Sequence, residues 1–294
     1  MKIYKHGTFW CIINLGNKHT KEGAMNEKLE LRKLLIYAIS VYRIPQKIKG
    51  MTDKRKRKGI PFFNLIMPVF MALLLQYESF HTFFSAPESM GRRFGNFIRG
   101  RIPKVDAVRD ALALLEADEV GDLLDSIVEK TYRNAVFRSG TIGGYTAAAV
   151  DGVELFSSTK KSCRKCLTRK NKAGQTEYFH RSVVCASIGH SPHVVLGQEM
   201  LTPRDGGEKD EGELTGGKRL VRDLHRKFGH FADVIVADAL YLNAPFLNTV
   251  LDCHMDAVIR LKDEERLIYK DAKGLFEKGE GRKDGFRRGR KRIE

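Results

Sequence analysis

The chain has little of what would commit it to secretion or to a membrane. Its 294 residues include five cysteines: Cys11, Cys163, Cys166, Cys185 and Cys253. The count is odd and the spacings are scattered. No disulfide framework is expected, and the usage fits a reducing compartment. Long apolar runs are missing. The strongest, over 60–80, is broken by Asn64 and by Pro61 and Pro68. Its uninterrupted part, 69–75, is far shorter than the about 20 residues a spanning helix needs, so a buried helix is expected and no membrane. The first residues, MKIYKHGTFWCIINLG, run basic then apolar. They lack a proper apolar h-region and a small-residue cleavage site, so no signal peptide is read. Internal repeats are absent. Acidic residues are scarce: 36 Asp and Glu stand against 52 Lys and Arg, a formal net charge of +16. That surplus suits a polyanionic partner, most simply nucleic acid, because Lys and Arg neutralise phosphates. A merely basic protein has the same composition.

What is present divides the chain. Hydrophobic residues make up 42%, enough for a sizeable core, and the length allows two domains. Residues 1–25 hold the only Trp and show no clear period. Lys21-Glu22-Gly23 can be encoded by a purine-rich ribosome-binding string just before Met25. Met25 is therefore a candidate start, with 1–25 a mis-called extension; the gene sequence over those codons decides this. Residues 26–140 read as helical. Leu31, Leu34, Leu35, Ala38 and Ile39 give one face over 27–42, and Pro45 follows. The basic run MTDKRKRKG reads equally as a solvated linker or a phosphate-contacting loop. Further helices are expected over 62–84, from Asp106 as N-cap onwards, and over 119–132. The last two fit a helix-turn-helix or a plain helical bundle, so 26–140 is a candidate DNA-binding region.

The pattern changes after the glycine-rich stretch 139–144. Strands are expected over 146–156, 177–188, 193–201, 234–237 and 257–261, with helices over 214–231 and 244–251. The order βββαβαβ makes 141–294 an α/β region. A three-strand meander followed by a crossover helix is the start of a ribonuclease-H-like mixed sheet, in which the first and fourth strands lie side by side. Asp151 and Asp238 end the apolar runs of those two strands. Alone, each aspartate is a turn or cap residue. Together they meet at one rim of the sheet, where open α/β sheets place their chemistry. Two close carboxylates resist joint ionisation unless a cation sits between them. Mg²⁺, or Mn²⁺, suits carboxylate oxygens plus water and phosphate and supports phosphodiester cleavage.

The ordered string VDGVELFSSTKKSCRKCLTRK, TEYFHRSVV, DGGEKDEGELTGGKRL, ADVIVADALYLNAPF and AVIRLKDEERL resembles the DDE transposases of bacterial insertion sequences. The similarity covers about 103–276. Its nearest group carries a Cys-x-x-Cys-Leu-Thr-Arg segment after the first aspartate. The resemblance implies a ribonuclease-H-like, Mg²⁺-dependent enzyme that cleaves double-stranded DNA and transfers strands. It implies Asp151 as first acid and Asp238 as second, a homodimer on DNA when complete, and a cytoplasmic, nucleoid-associated location. The third acid, a glutamate on a later helix, has no matching motif before Glu294. Glu277, in a helix expected over 271–278, is the remaining candidate. The reading favoured here is a chain that ends inside an inserted segment, so that the sheet is incomplete and an apolar face is exposed. A ribonuclease-H-like nuclease without strand transfer is the alternative enzyme. A degraded copy acting as a non-catalytic DNA-binding regulator is the alternative outside enzymes.

Three secondary signals remain. Cys163 and Cys166 have zinc half-site spacing; His180, with His190 or His193, would complete a structural site, and the bland reading is two reduced cysteines in a basic loop. Glu213 falls in the first turn of the crossover helix. It reads as an auxiliary metal ligand or as a residue placed to suit the helix dipole. Lys160, Lys161, Arg164, Lys165, Arg169, Lys170 and Lys172 form a candidate DNA-backbone surface, which would supply affinity with little sequence information.

Overall fold

Apolar residues at helical spacing build the first half of the chain. Helix α1 (Ile44–Gly50) has Pro45 in its first turn, where no amide partner is needed, and buries Ile44 and Ile48. Helix α2 (Phe62–Leu74) starts after Pro61 and holds Pro68 within it. Helices α3 (Phe80–Phe84), α4 (Val105–Leu112) and α5 (Ala117–Arg133) follow. Leu65, Met67, Val108 and Ala111 join Ile44 and Ile48 in one core, with Leu123 and Ile127 of α5 packed against it. Asp106 is not the N-cap of α4. That position is Lys104, extended after Pro103. Asp106 lies in the first turn, where its charge still complements the helix dipole.

The computed structural model describes residues 36–37, 40–74, 77, 79–83, 100, 103–137, 141–189, 193–203, 210–262 and 264–277, and the backbone alone of 84, 286–288 and 291–293. It divides into two units, 1–136 and 137–294. The candidate extension 1–25, most of the helix expected over 27–42, residues 138–140 and Glu294 lie outside the described residues. Among the described residues, no helix is long and apolar enough to cross a membrane.

The basic run after α1 has two parts. Arg55 is neither solvated nor open to phosphate. Its guanidinium pairs with Asp53 at 2.8 Å and donates to the Ile60 carbonyl at 2.6 Å, and its side chain is only 11% exposed. Lys54 is exposed but paired with Glu116; Lys56, Arg57 and Lys58 are exposed as well.

In the second unit, β1 (Ala147–Ser158), β2 (Leu167–Lys170), β3 (Thr176–Ile188), β4 (Val195–Met200), β5 (Val234–Ala237) and β6 (Asp256–Ile259) form one mixed six-stranded sheet. Helix α6 (Glu213–Phe228) links β4 to β5, and α7 (Ala244–Asp252) links β5 to β6. Helix α8 (Leu267–Glu277) follows, then a two-stranded ribbon of β7 (Phe286–Arg288) and β8 (Lys291–Ile293). The sheet order is β2-β3-β1-β5-β6, with β4 also on β3. Strand β1 is antiparallel to β3 and parallel to β5. The expected neighbourhood of the two aspartate-bearing strands is therefore present.

One strand more precedes the crossover helix than the sequence predicts. Leu167-Thr168-Arg169-Lys170 has no apolar alternation and reads as loop. It becomes β2 because a tight turn returns it to β3. Asn171 Oδ1 accepts from the amides of Ala173 and Gln175, and Gly174 takes φ +74°, a conformation open to glycine at no steric cost.

Alternation along the strands sets the core. Ala148, Val150, Val183, Cys185, Ile235 and Ala237 are buried, as are Leu220, Val221 and Leu224 of α6 and Phe246 and Val250 of α7. Gly216 and Gly217 let α6 approach closely. A Cβ at Gly216 would overlap Leu201, and one at Gly217 would sit 2.9 Å from the Tyr241 ring. On the other face Val236 pairs with Val258, and Val258 is 59% exposed.

At the start of β1 and β5, Asp233 joins the two strands. Its Oδ2 accepts from Thr146 N at 2.7 Å and Thr146 Oγ1 at 2.6 Å, and its Oδ1 contacts His230 at 2.8 Å. The His230 contact and the Thr146 bonds hold its carboxyl down to about 2. The sign follows from the folded value lying below the unfolded one. The stabilisation is present above the ordinary aspartate range and is lost as pH falls towards 2. In denaturant titrations followed in the second unit, Asp233→Asn is expected to be less stable than wild type near neutrality. The gap should close as pH drops below about 4; a gap independent of pH would contradict the assignment.

Candidate active site

Asp151 and Asp238 reach the same rim by register alone. The parallel pairing ends at Val150 with Ala237, so Asp151 and Asp238 are the next residue of each strand. Adjacent strands lie about 4.8 Å apart. Both aspartates are exposed. Asp238 also caps the short 3-10 helix Ala239–Tyr241: its Oδ1 accepts from Leu240 N at 2.9 Å. Asp151 Oδ1 accepts from Gly152 N at 2.8 Å. The cap reading is thus realised for Asp238, while its second oxygen takes no part in the cap.

Glu213 completes the group. It opens α6 and is held by Arg181 of β3, whose Nη1 donates to Oε1 at 2.7 Å. The Glu213 side chain is 14% exposed. Burial raises its pKa most; Arg181 opposes this, and the charges of Asp151 and Asp238 raise it further. The charges of Asp151 and Asp238 are thus felt at Glu213. Gly152 makes the approach sterically open. A Cβ there would overlap Glu213 Cδ and Oε2 and lie 2.6 Å from Oε1.

Sequence reasoning did not single out Tyr241 or Arg181. Tyr241 is fully buried against Phe246, with ring centroids 4.8 Å apart. Its hydroxyl is buried with no hydrogen-bond partner among the described residues. Burial pushes its pKa up, followed by the charges of Glu213, Asp151 and Asp238. The available signal was its place three residues beyond Asp238. For Arg181 there was none, because its partner Glu213 is distant in sequence.

Glu277 ends α8, is exposed, and sits 3.9 Å from Lys273 of its own helix. It is absent from the charges acting on Glu213 and Tyr241.

The basic surface is partly committed. Arg169 Nε donates to Glu177 at 2.7 Å and Nη1 to Glu154 at 2.7 Å, and the guanidinium lies 4.5 Å from the Phe179 ring centre. Two glutamates neutralise it, so Arg169 is a strand-bracing residue rather than a phosphate contact. Lys170 Nζ donates to Thr176 Oγ1 at 2.9 Å. Lys160, Lys161, Arg164, Lys165 and Lys172 are exposed. Glu154 also approaches Arg181 at 3.5 Å, so an ion-pair ladder runs from Arg169 through Glu154 and Arg181 to Glu213.

Cys163, Cys166 and His180 converge, with ligand atoms all within 4.8 Å of one another. Among the described residues no other three His, Cys, Asp or Glu meet that spacing, and the three carboxylates do not. His193 is not part of this group. Its Nδ1 lies 3.2 Å from the Ser187 carbonyl, seven positions along β3 from His180, or about 23 Å at strand rise. His190 lies outside the described residues. Cys185 is fully enclosed, and burial pushes its thiol up to about 12, which removes it from metal or redox chemistry near neutrality.

No protein-family model matches the chain, and no curated protein matches it. Among solved structures, it is similar to the piggyBac transposase in a cryo-EM synaptic complex with hairpin DNA. The identity is 16% and the TM-score 0.38, over 82% of this chain and 53% of that one. The chain therefore spans about half the length of that transposase chain.

Proposed function

We propose that the chain is a transposase-type enzyme, cleaving and transferring DNA strands with the help of a divalent cation. The observation that carries this is the in-register placement of Asp151 and Asp238 on neighbouring parallel strands, with Glu213 electrostatically joined to both. The sheet order supports a ribonuclease-H-like reading once β2 is set aside as an added hairpin strand.

The donor set fits Mg²⁺ or Mn²⁺. It offers carboxylate oxygens only, and Mg²⁺ is bound through one or two carboxylates plus water and substrate phosphate. The wider spacing of these acids, compared with the cysteine cluster, suits that sharing. The partnerless Tyr241 hydroxyl beside them is a further polar group for a ligand. Asp151 and Asp238 would hold the cation, with Glu213 as third carboxylate. Bound there, the cation supplies charge neutralisation at the phosphate and a more acidic attacking water or hydroxyl. Arg181 keeps Glu213 oriented towards the rim. Lys160, Lys161, Arg164, Lys165 and Lys172 supply the phosphate contacts, whose strength should fall steeply with salt.

The test is a supercoiled-plasmid nicking and strand-joining assay on the full chain, with Mg²⁺ or Mn²⁺ against chelator, and Asp238→Ala as control. Nicking that requires both the cation and Asp238 is expected. Nicks without joined products would point to the nuclease alternative. Salt-sensitive DNA binding with no cation-dependent nicking would sink the enzymatic reading in favour of a regulator.

A further inference from the structure

We propose that Cys163, Cys166 and His180 form a zinc clasp that pins the basic loop between β1 and β2 to strand β3. The three ligand atoms already stand where a tetrahedral ion would put them. Zn–S of about 2.3 Å and Zn–N of about 2.0–2.1 Å require S···S near 3.8 Å and S···N near 3.5 Å, both approximate. The observed separations are 3.6 Å between the two Sγ atoms, 3.3 Å from Cys163 Sγ to His180 Nε2 and 3.4 Å from Cys166 Sγ to the same nitrogen. All three separations lie within about 0.2 Å of those values. A disulfide is a poor account of the pair, because it needs about 2.05 Å between sulfurs.

A backbone amide is directed at each sulfur. Cys163 N donates to Cys166 Sγ at 3.2 Å, and Lys165 N approaches Cys163 Sγ at 3.4 Å. Amides directed at sulfur orient and charge-stabilise metal-bound thiolates. Exposed Lys160, Lys161, Arg164 and Lys165 surround the loop and add positive potential. Two thiolates and one imidazole select zinc over the oxygen-seeking Mg²⁺ and Ca²⁺. Cys163 is exposed and Cys166 is buried, so the cluster sits at the edge of the sheet's core.

The clasp has a mechanical role. Cys166 immediately precedes β2, and His180 immediately precedes Arg181, the partner of Glu213. Zinc therefore fixes the entry to β2 against the part of β3 that bears the ion-pair ladder. The lysine-rich loop loses freedom before any polyanion binds. This inference does not rest on the DNA reading, because zinc content is measured without DNA.

The experiment is metal analysis of the full chain purified under reducing conditions, alongside Cys163→Ser and, as control, Cys253→Ala. One zinc per wild-type and Cys253→Ala chain is expected. Cys163→Ser should lose affinity by more than the about 10–100-fold typical of a lost outer partner. Cobalt exchanged into wild type should show a sulfur-to-metal charge-transfer band. With no variant needed, chelation of wild type should speed tryptic cleavage after Arg164 and Lys165 by on the order of tenfold. The proposal is overturned by substoichiometric zinc in wild type, by equal zinc in Cys163→Ser, by a cobalt spectrum without thiolate character, or by tryptic rates indifferent to chelation.

Discussion

Replacing Gly152 by alanine is expected to slow cation-dependent strand cleavage about a hundredfold while leaving stability nearly unchanged. The Glu213 carboxyl group occupies the space a Cβ would need, with Oε1 only 2.6 Å from it. The clash is with the far end of a flexible side chain, so relief comes from a Glu213 rotamer change and not from the sheet. Alanine also suits a strand interior better than glycine by roughly 0.5–1 kcal/mol, which offsets the adjustment. The displaced carboxylate, however, loses its 2.7 Å bond from Arg181 and its place beside Asp151 and Asp238. A misplacement of about 1 Å in a reacting constellation typically costs about a hundredfold. Glu213→Gln removes the same charge without steric pressure. The double variant should therefore be no worse than the poorer single one, since both act through one carboxylate. Plasmid nicking rates beside urea unfolding midpoints followed in the second unit make the check. Full activity in Gly152→Ala would remove Glu213 from the site.

Part of this geometry is legible in the amino-acid sequence. Asp151 and Asp238 were legible because each ends an apolar run, and strand order then fixes adjacency. Cys163, Cys166 and His180 were legible from the short Cys-x-x-Cys spacing and from a histidine on the next apolar strand. The significance of Gly152 was not, because it depends on where α6 begins relative to β1. Arg169 looked like one of seven equivalent cations. Its commitment to Glu154 and Glu177 needed β2, a strand of four polar-rich residues whose existence depends on the Asn171 turn. His193 was one of two candidates for a fourth ligand beside His180, but it sits by Ser187, at the far end of β3 from His180. Long apolar elements were readable; groups brought together by a hairpin or by a helix N-terminus were not.

The largest stability effect is expected at Phe246. The side chain is fully buried at the start of α7, with its ring 4.8 Å from Tyr241 at 60°. A Cβ on Gly217 would lie 3.3 Å from Phe246 Cε2, so the ring is seated directly on α6. Phe246→Ala removes the ring and leaves a cavity walled by two helices and the 3-10 turn after Asp238. Such deletions cost about 3–5 kcal/mol, a large share of the about 5–15 kcal/mol typical of a domain. The chain has two units, so one global unfolding curve would mix their transitions. Hydrogen exchange of amides in β1 and β5 isolates the second unit, and protection there should fall by on the order of a hundredfold or more. Amides of α2 in the first unit serve as the reference. Because the lost ring backs Tyr241, the rim loosens too, and cleavage should fall even where the variant remains folded. Unchanged protection in β1 and β5 would mean that α7 does not seal the core and that Tyr241 is held by something other than Phe246.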